Sequence, residues 1–264
     1  MKKVSIKEFL NTFRIFSRSW ICRVSLNVIF KRGVSMHVEM MFIGKPKQLG
    51  SEEASDKLNQ SWISAINRDA VSRGNLTEHG FEDDEVADKK HHGGVDKAVF
   101  CYAIEHYPLW RNELNKDIQP GGFGENLSVT HMNEQTVCLG DIYQIGNALL
   151  QVTQPRKPCW KPARKYREIE LSKITEENGR TGWYLKVLCP GVVSVNNKIE
   201  LMERSNPEWT IAKCNEVMHF SADLSLVKEL SEVEVLADSW KVSLKKKLSG
   251  EIEDKTHRLY GPNI

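Results

Sequence analysis

The chain has 264 residues, 40% of them hydrophobic and 27% charged, which is enough apolar material for a buried core and carries no compositional mark of disorder. Its 37 Lys+Arg and 35 Asp+Glu nearly cancel, and no uncharged apolar run is long enough for a membrane-spanning helix, so an integral helical membrane protein is excluded. The balance is uneven: residues 1–35 carry +7 and leave the remainder at −5, which excludes a body drawn to nucleic acid by its overall charge.

Residues 1–39 read as a basic N-terminal extension. Its apolar stretch from Trp20 to Phe30 is interrupted by Arg23, a poor match to a secretory signal, and Met36, Met40 and Met41 follow it. Residues 40–205 alternate short β-type runs (MMFIG, KAVFCYA, NLSVT, DIYQIGNALLQVT and GVVSV) with Gly, Asn and Pro clusters, which predicts a mainly β domain. The pair Gly146-Asn147 sits between two alternating runs and predicts a hairpin. Glu105–Leu114 and Glu168–Asn178 read as helical excursions.

Residues 206–264 change character and predict a small all-α domain of three helices, Thr210–His219, Asp223–Leu230 and Val233–Leu248. Ser231 with Glu234 has capping-box spacing, Ala237, Trp240, Leu244 and Leu248 share a face, and Lys245–Lys247 fall in a last turn closed by Gly250. Cations in that turn suit the helix dipole, so the lysine run does not argue for helix-turn-helix binding to DNA.

The segment QPRKPCWKPARKYR, Gln154–Arg167, is the most unusual in composition. No acid occurs between Asp141 and Glu168, while Arg156, Lys157, Lys161, Arg164, Lys165 and Arg167 crowd one thiol, Cys159, which Pro155, Pro158 and Pro162 bracket. Proline fixes φ and removes a donor, so the segment is expected to be a rigid loop leaving a strand through Val152. Neighbouring cations favour the thiolate, which binds soft metals or attacks electrophiles, and they would also hold a phosphate-bearing ligand. Use of Cys159 as a small apolar filler leaves the charge and the prolines unexplained.

Two further segments suit close backbone approach. KKHHGGVDKAV, Lys89–Val99, sets Gly93-Gly94 beside His91, His92, Asp96 and Lys97, and QPGGFGENLSV, Gln119–Val129, sets Gly121, Gly122 and Gly124 before Glu125 and Asn126. Neither completes a Rossmann fingerprint, and Gly44-Lys45-Pro46 does not complete a P-loop. His91, His92 and His106 lack zinc-ligand spacing, and adjacent histidines on an extended strand point to opposite faces. The six cysteines include no C-x-x-C pair and read as reduced thiols. A metal-free cysteine nucleophile with His92 or His131 as base is one candidate chemistry for this set.

H-G-G-x-D-x-A-V (His92–Val99), G-F-G-E-N-L (Gly122–Leu127) and Q-P-R-x-P-C (Gln154–Cys159), in that order, resemble the MOSC-domain family. With the ending LADSWKVSLKKKLSGEIEDKTHRLYG the resemblance is to its YiiM-type branch and covers about Met40 to Gly261. It implies a closed or nearly closed β-barrel followed by a three-helix C-terminal domain. It further implies a cleft for the molybdenum cofactor (Mo-molybdopterin), and points away from pyridoxal phosphate. Carried onto this chain, Cys159 would be the catalytic residue and metal ligand, and Arg156 and Lys157 would lie near the pterin phosphate. His92, Gly93, Gly94, Asp96, Lys97, Gly124, Glu125 and Asn126 would line the cleft, with Glu125 or His92 as proton relay.

The implied activity is reduction of N-hydroxylated compounds, including N-hydroxylated nucleobase analogues, with oxygen removed at molybdenum held by Cys159. The cysteine usage, the charge balance and the lack of a long apolar run lead to the expectation of a cytoplasmic protein without nucleic-acid or membrane partners. No flavin or nicotinamide motif occurs, so electrons would come from a separate reductase of flavoprotein type. The alternative is a non-catalytic carrier or sensor of the cofactor or of sulfur. A homodimer through aromatic faces of the tail competes with core packing of Trp209 and Trp240. A chain starting at Met36 is expected to fold as the full chain does, checked by circular dichroism and thermal melting; loss of the cooperative transition would make the extension part of the fold.

Overall fold

The computed structural model describes residues 35–264. Its strands are β1 (His37–Ile43), β2 (Lys47–Leu49), β3 (Trp62–Ser64), β4 (Asp69–Val71), β5 (Arg73–Thr77), β6 (Gly80–Phe81), β7 (Val99–Ala103), β8 (Leu127–Thr130), β9 (Ile142–Ile145), β10 (Ala148–Pro155), β11 (Trp183–Cys189), β12 (Gly191–Ser194) and β13 (Ile199–Glu203). Its helices are α1 (Lys89–His92), α2 (His106–Leu114), α3 (Trp160–Tyr166), α4 (Leu171–Asn178), α5 (Ile211–His219), α6 (Leu224–Glu232), α7 (Asp238–Leu248) and α8 (Thr256–Leu259). Most of the expected extension lies outside the described residues, but its last three positions, His37–Glu39, already belong to β1.

Eight strands form the main sheet in the order β13-β9-β10-β11-β7-β8-β1-β4, antiparallel except for the β7–β8 pair. That parallel pair needs a crossover, which α2 supplies between them. β12-β5-β6 form a second sheet and β2-β3 a ribbon. The terminal strands β13 and β4 are not paired with one another, so the main sheet curls without closing into the barrel that the resemblance implies. A short seam of backbone bonds, Val38 N to Asn197 O at 3.0 Å and Asn196 N to Val38 O at 2.8 Å, ties the start of β1 to the turn before β13.

β7 shows why its sequence has no polar face. All five residues are buried, and alternate side chains enter different cores. Val99 and Cys101 pack with Val38, Leu127, Leu150 and Trp183, while Phe100 and Tyr102 join Tyr107, Trp110 and Phe123 in an aromatic layer with α2. The predicted hairpin forms between β9 and β10, with Ile145 paired to Ala148 across Gly146-Asn147. Gly146 has φ +58°, and a Cβ there would run into the Val192 carbonyl, so glycine is required.

In the tail, α5 and α6 start at Thr210 and Asp223, whose side chains accept backbone N–H bonds as N-caps should. The third helix begins at Asp238 rather than Val233, and the expected capping box does not form. Ser231 remains inside α6, its hydroxyl bonded to Lys228 O. Lys247 bonds the Val217 and Met218 carbonyls, so part of the lysine run caps the end of α5 as well as its own helix.

Leu139, Trp209, Cys214, Val217, Val227, Leu230, Trp240 and Leu244 form the core of this region. Ala237 N bonds Thr153 O of β10 at 3.1 Å, and the described residues form one compact unit. Among the described residues no helix is long and apolar enough to cross a membrane. Cys101, Cys138, Cys159 and Cys214 are free thiols. Trp240→Ala is expected to cost about 3–5 kcal/mol in urea unfolding and to leave a single transition, because the indole is fully buried in a core joined to the sheet. A separate early loss of helical signal would show a tail that unfolds by itself.

Candidate active site

β10 delivers the cysteine segment. Its ladder with β11 shifts register between Val152 and Gln154, a bulge that re-aims the strand end just before Pro155. The expected rigid loop spans Arg156–Cys159, after which the chain turns into α3, a helix the proline pattern did not predict. Pro162 is tolerated because it lies in the first turn, where backbone N–H groups have no intrahelical partner. Cys159 is the N-cap, with extended backbone (φ −133°, ψ 163°).

Cys159 is 8% exposed and lines a cavity of about 470 Å³. Five Lys or Arg side chains share that lining, Arg68, Lys89, Lys97, Arg156 and Lys161, against two carboxylates, Asp84 and Glu85. Arg156 is itself buried; its Nη2 lies 3.7 Å from the Cys159 sulfur and its guanidinium rests on the Phe100 ring. Burial pushes the Cys159 thiol up, but His92, Arg156 and the Lys161 amide together outweigh it and hold the pKa at about 6. The sulfur is therefore a thiolate at neutral pH.

Of the sequence-predicted residues, His92, Gly93, Gly94, Lys97, Gly124, Asn126, Arg156 and Cys159 meet around this cavity. Asp88 caps α1 through the His91 N–H and ring, so the two histidines sit on a helical turn rather than on an extended strand. Lys97 Nζ bonds His91 O at 2.7 Å, tying the lysine to that turn. Gly94 has φ +101° with open space where a Cβ would be.

Three residues expected at the cleft are not in its lining. Glu125 is fully buried, accepting from Tyr107 Oη, from Gly121 N at 2.8 Å and from Ser128 Oγ at 2.7 Å, so its carboxylate pins the glycine loop from behind. Asp96 gives its backbone carbonyl to Thr153 Oγ1. Lys157 points to the tail, bonding Ser243 Oγ and lying over the Trp240 ring, and burial lowers its ammonium to about 8.

Sequence reasoning missed Arg68 and Asp84. Arg68 Nε bonds Asp84 Oδ1 at 2.6 Å and its Nη1 bonds Gly124 O at 2.5 Å, while Asn126 Nδ2 reaches Asp84 Oδ2 at 2.9 Å. Asn126 Oδ1 also accepts from Phe100 N, so one buried network holds the glycine loop, β7 and the cavity wall together. No local motif surrounds either residue that would have singled it out.

Fold and site define a curled β-sheet protein whose loop cysteine opens onto a cation-lined cavity. The MOSC domain family model matches residues 88–200, which contain the histidine, glycine and cysteine segments. YiiM of Escherichia coli is 37% identical over 190 residues, covering 70% of this chain and 85% of that protein. A protein from Gibberella moniliformis named "Reductase" is 37% identical over 147 residues, 54% of this chain and 26% of that protein. The crystal structure of YiiM from Geobacillus stearothermophilus superposes with a TM-score of 0.67 at 30% identity, covering 81% of this chain and 99% of that one. The chain belongs to the MOSC-domain family, among its YiiM-type members.

Because the folded pKa of about 6 lies below the ordinary thiol value of 9.0, the thiolate contributes stability that is fully present above pH 9 and is lost as pH falls through about 6. Alkylation by iodoacetamide, followed on the Cys159 peptide by mass spectrometry, is expected to show a midpoint at about 6. His92→Ala should move that midpoint upward by removing the largest stabilising charge; an unmoved midpoint would remove His92 as the cause.

Proposed function

We propose that the chain is a molybdenum-cofactor-dependent reductase of N-hydroxylated compounds, with Cys159 as the protein ligand to the metal. The observation that carries this reading is a thiolate at neutral pH in the wall of a cation-lined cavity of about 470 Å³. The donor set fits the group. A thiolate suits a soft, thiophilic centre, the lysines and arginines suit a pterin phosphate, and the open position at Gly94 leaves backbone free to lie against a flat ring. The family match and the relative named as a reductase support the same class of chemistry.

When bound, the molybdenum cofactor supplies a two-electron centre at which the oxygen of an N–OH group is removed. The chain supplies placement and charge. Cys159 would hold the centre, and Arg156, Lys97 and Lys161 in the same cavity lining would offset the negative charge of the phosphate. The His92 ring, hydrogen-bonded to the sulfur on the cavity wall, would be placed to pass a solvent-derived proton to the oxygen of a bound N–OH group. Two electrons and two protons convert the N-hydroxyl compound to its amine and water, the electrons arriving from a separate reductase.

Cys159→Ala, made in a host that synthesises the cofactor, is expected to lose bound molybdenum and donor-dependent hydroxylamine reduction together. Molybdenum bound by the unsubstituted chain without any reduction would instead favour a carrier or sensor, and native activity in Cys159→Ala would exclude the sulfur as an essential ligand.

A further inference from the structure

The three carbonyl groups that flank and include Cys159 are each held by a side chain. Arg258 Nη1 bonds Pro158 O at 2.8 Å, Ser172 Oγ bonds Cys159 O at 2.6 Å, and Asn263 Nδ2 bonds Trp160 O at 3.2 Å. Ser172 comes from α4, which packs beside α3. Arg258 and Asn263 come from the far end of the chain, in α8 and the turn after it.

Arg258 is anchored in its turn. Its Nη2 bonds Glu176 Oε2 of α4 at 2.6 Å, and Lys255 Nζ bonds Glu176 Oε1 at 2.6 Å. His219 from α5 faces the same carboxylate at 3.5 Å. Gly261, with φ +50°, presses so closely on Trp160 that a Cβ would enter the indole ring. From the other side, Lys157 bonds Ser243 of α7, and Ser239 bonds Gln154 Oε1 at 3.0 Å. The segment from Gln154 to Trp160 is thus held by tail residues on two sides, in addition to its ladder with β11 and the Ser172 bond from α4.

The direction of a Cα–Cβ bond follows from the peptide planes on either side of it. Fixing the planes at Pro158, Cys159 and Trp160 therefore fixes the direction of the Cys159 Cβ and leaves the sulfur only the staggered rotations about Cα–Cβ, without any of these side chains touching it. We infer that the C-terminal segment positions the Cys159 sulfur in the cavity, with Arg258 as the positioning residue and Glu176 as its anchor. This goes beyond the proposed reaction, because it holds for the protein whatever ligand the sulfur meets. It assigns the tail a part in the site that a separate appended bundle would not have.

The test compares full-length Arg258→Met, Arg258→Lys and Asn263→Ala with the unsubstituted chain. Amide hydrogen exchange in the peptide covering Cys159–Tyr166 is expected to rise by roughly tenfold in Arg258→Met, with β7 and β11 still protected. Arg258→Lys, which keeps the charge and one of the two bonds, should recover part of that protection, and Asn263→Ala should show a smaller rise. In cofactor-loaded protein that reduces a hydroxylamine, kcat should fall in Arg258→Met while KM stays near its original value, because no substrate contact is removed. Unchanged exchange in Arg258→Met and Asn263→Ala would overturn the inference. Should Arg258→Met fail to fold, Arg258→Lys and Asn263→Ala decide on the same exchange readout. Exchange needs no bound cofactor, so a failure of the proposed reaction leaves this result readable.

Discussion

A buried anion must be met by fixed positive charge, and around that requirement the molecule is arranged. The Cys159 thiolate is removed from water, so without His92 and Arg156 it would revert to the neutral thiol. Arg156 is also buried and needs support of its own, which it finds in the Phe100 ring beneath it and in the anion beside it. Each group makes the other tolerable. The curled sheet brings them together by carrying Phe100 on β7 and Arg156 at the end of β10, with β11 between the two strands.

A second network, in the cavity wall, stands beside the first. Arg68, Asp84 and Asn126 tie the glycine loop to β7, and Glu125 holds the same loop from inside. Buried ion pairs of this kind add little net stability, but removal of one partner leaves an uncompensated charge, so they specify one geometry. The glycines at Gly121 and Gly124 follow from this, since both have positive φ in a loop whose backbone is drawn close to its neighbours.

Local chemistry was legible in the sequence. The charge and proline around Cys159, the Gly146-Asn147 hairpin, the excursions that became α2 and α4, and the helical tail all announce themselves within a few residues. Features that depend on distant partners were not. Arg68 and Asp84 have no local pattern because their meaning is each other. Glu125 and Asn126 are both polar neighbours, and which one faces the cavity is settled by Tyr107 on α2 and by Asp84, 42 positions away from Asn126 in the chain. Lys157 looked like part of a phosphate site because nothing near it in sequence reveals Ser243 and Trp240. The short strands β2–β6 are too brief for a period-two pattern, and the open seam of the sheet depends on backbone register across its ends.

β7 sends alternate side chains into two different interiors, and one of them, Phe100, is also the floor under Arg156. Hydrocarbon fit and the seat of the Arg156 charge thus meet on a single strand. An engineer who grafted the histidine, glycine and cysteine segments onto another scaffold would transplant those residues but not the aromatic bedding beneath the guanidinium. Neutral drift in that bedding is correspondingly narrow, since a change of ring volume at Phe100 is transmitted to the sulfur without any change in the residues that touch it.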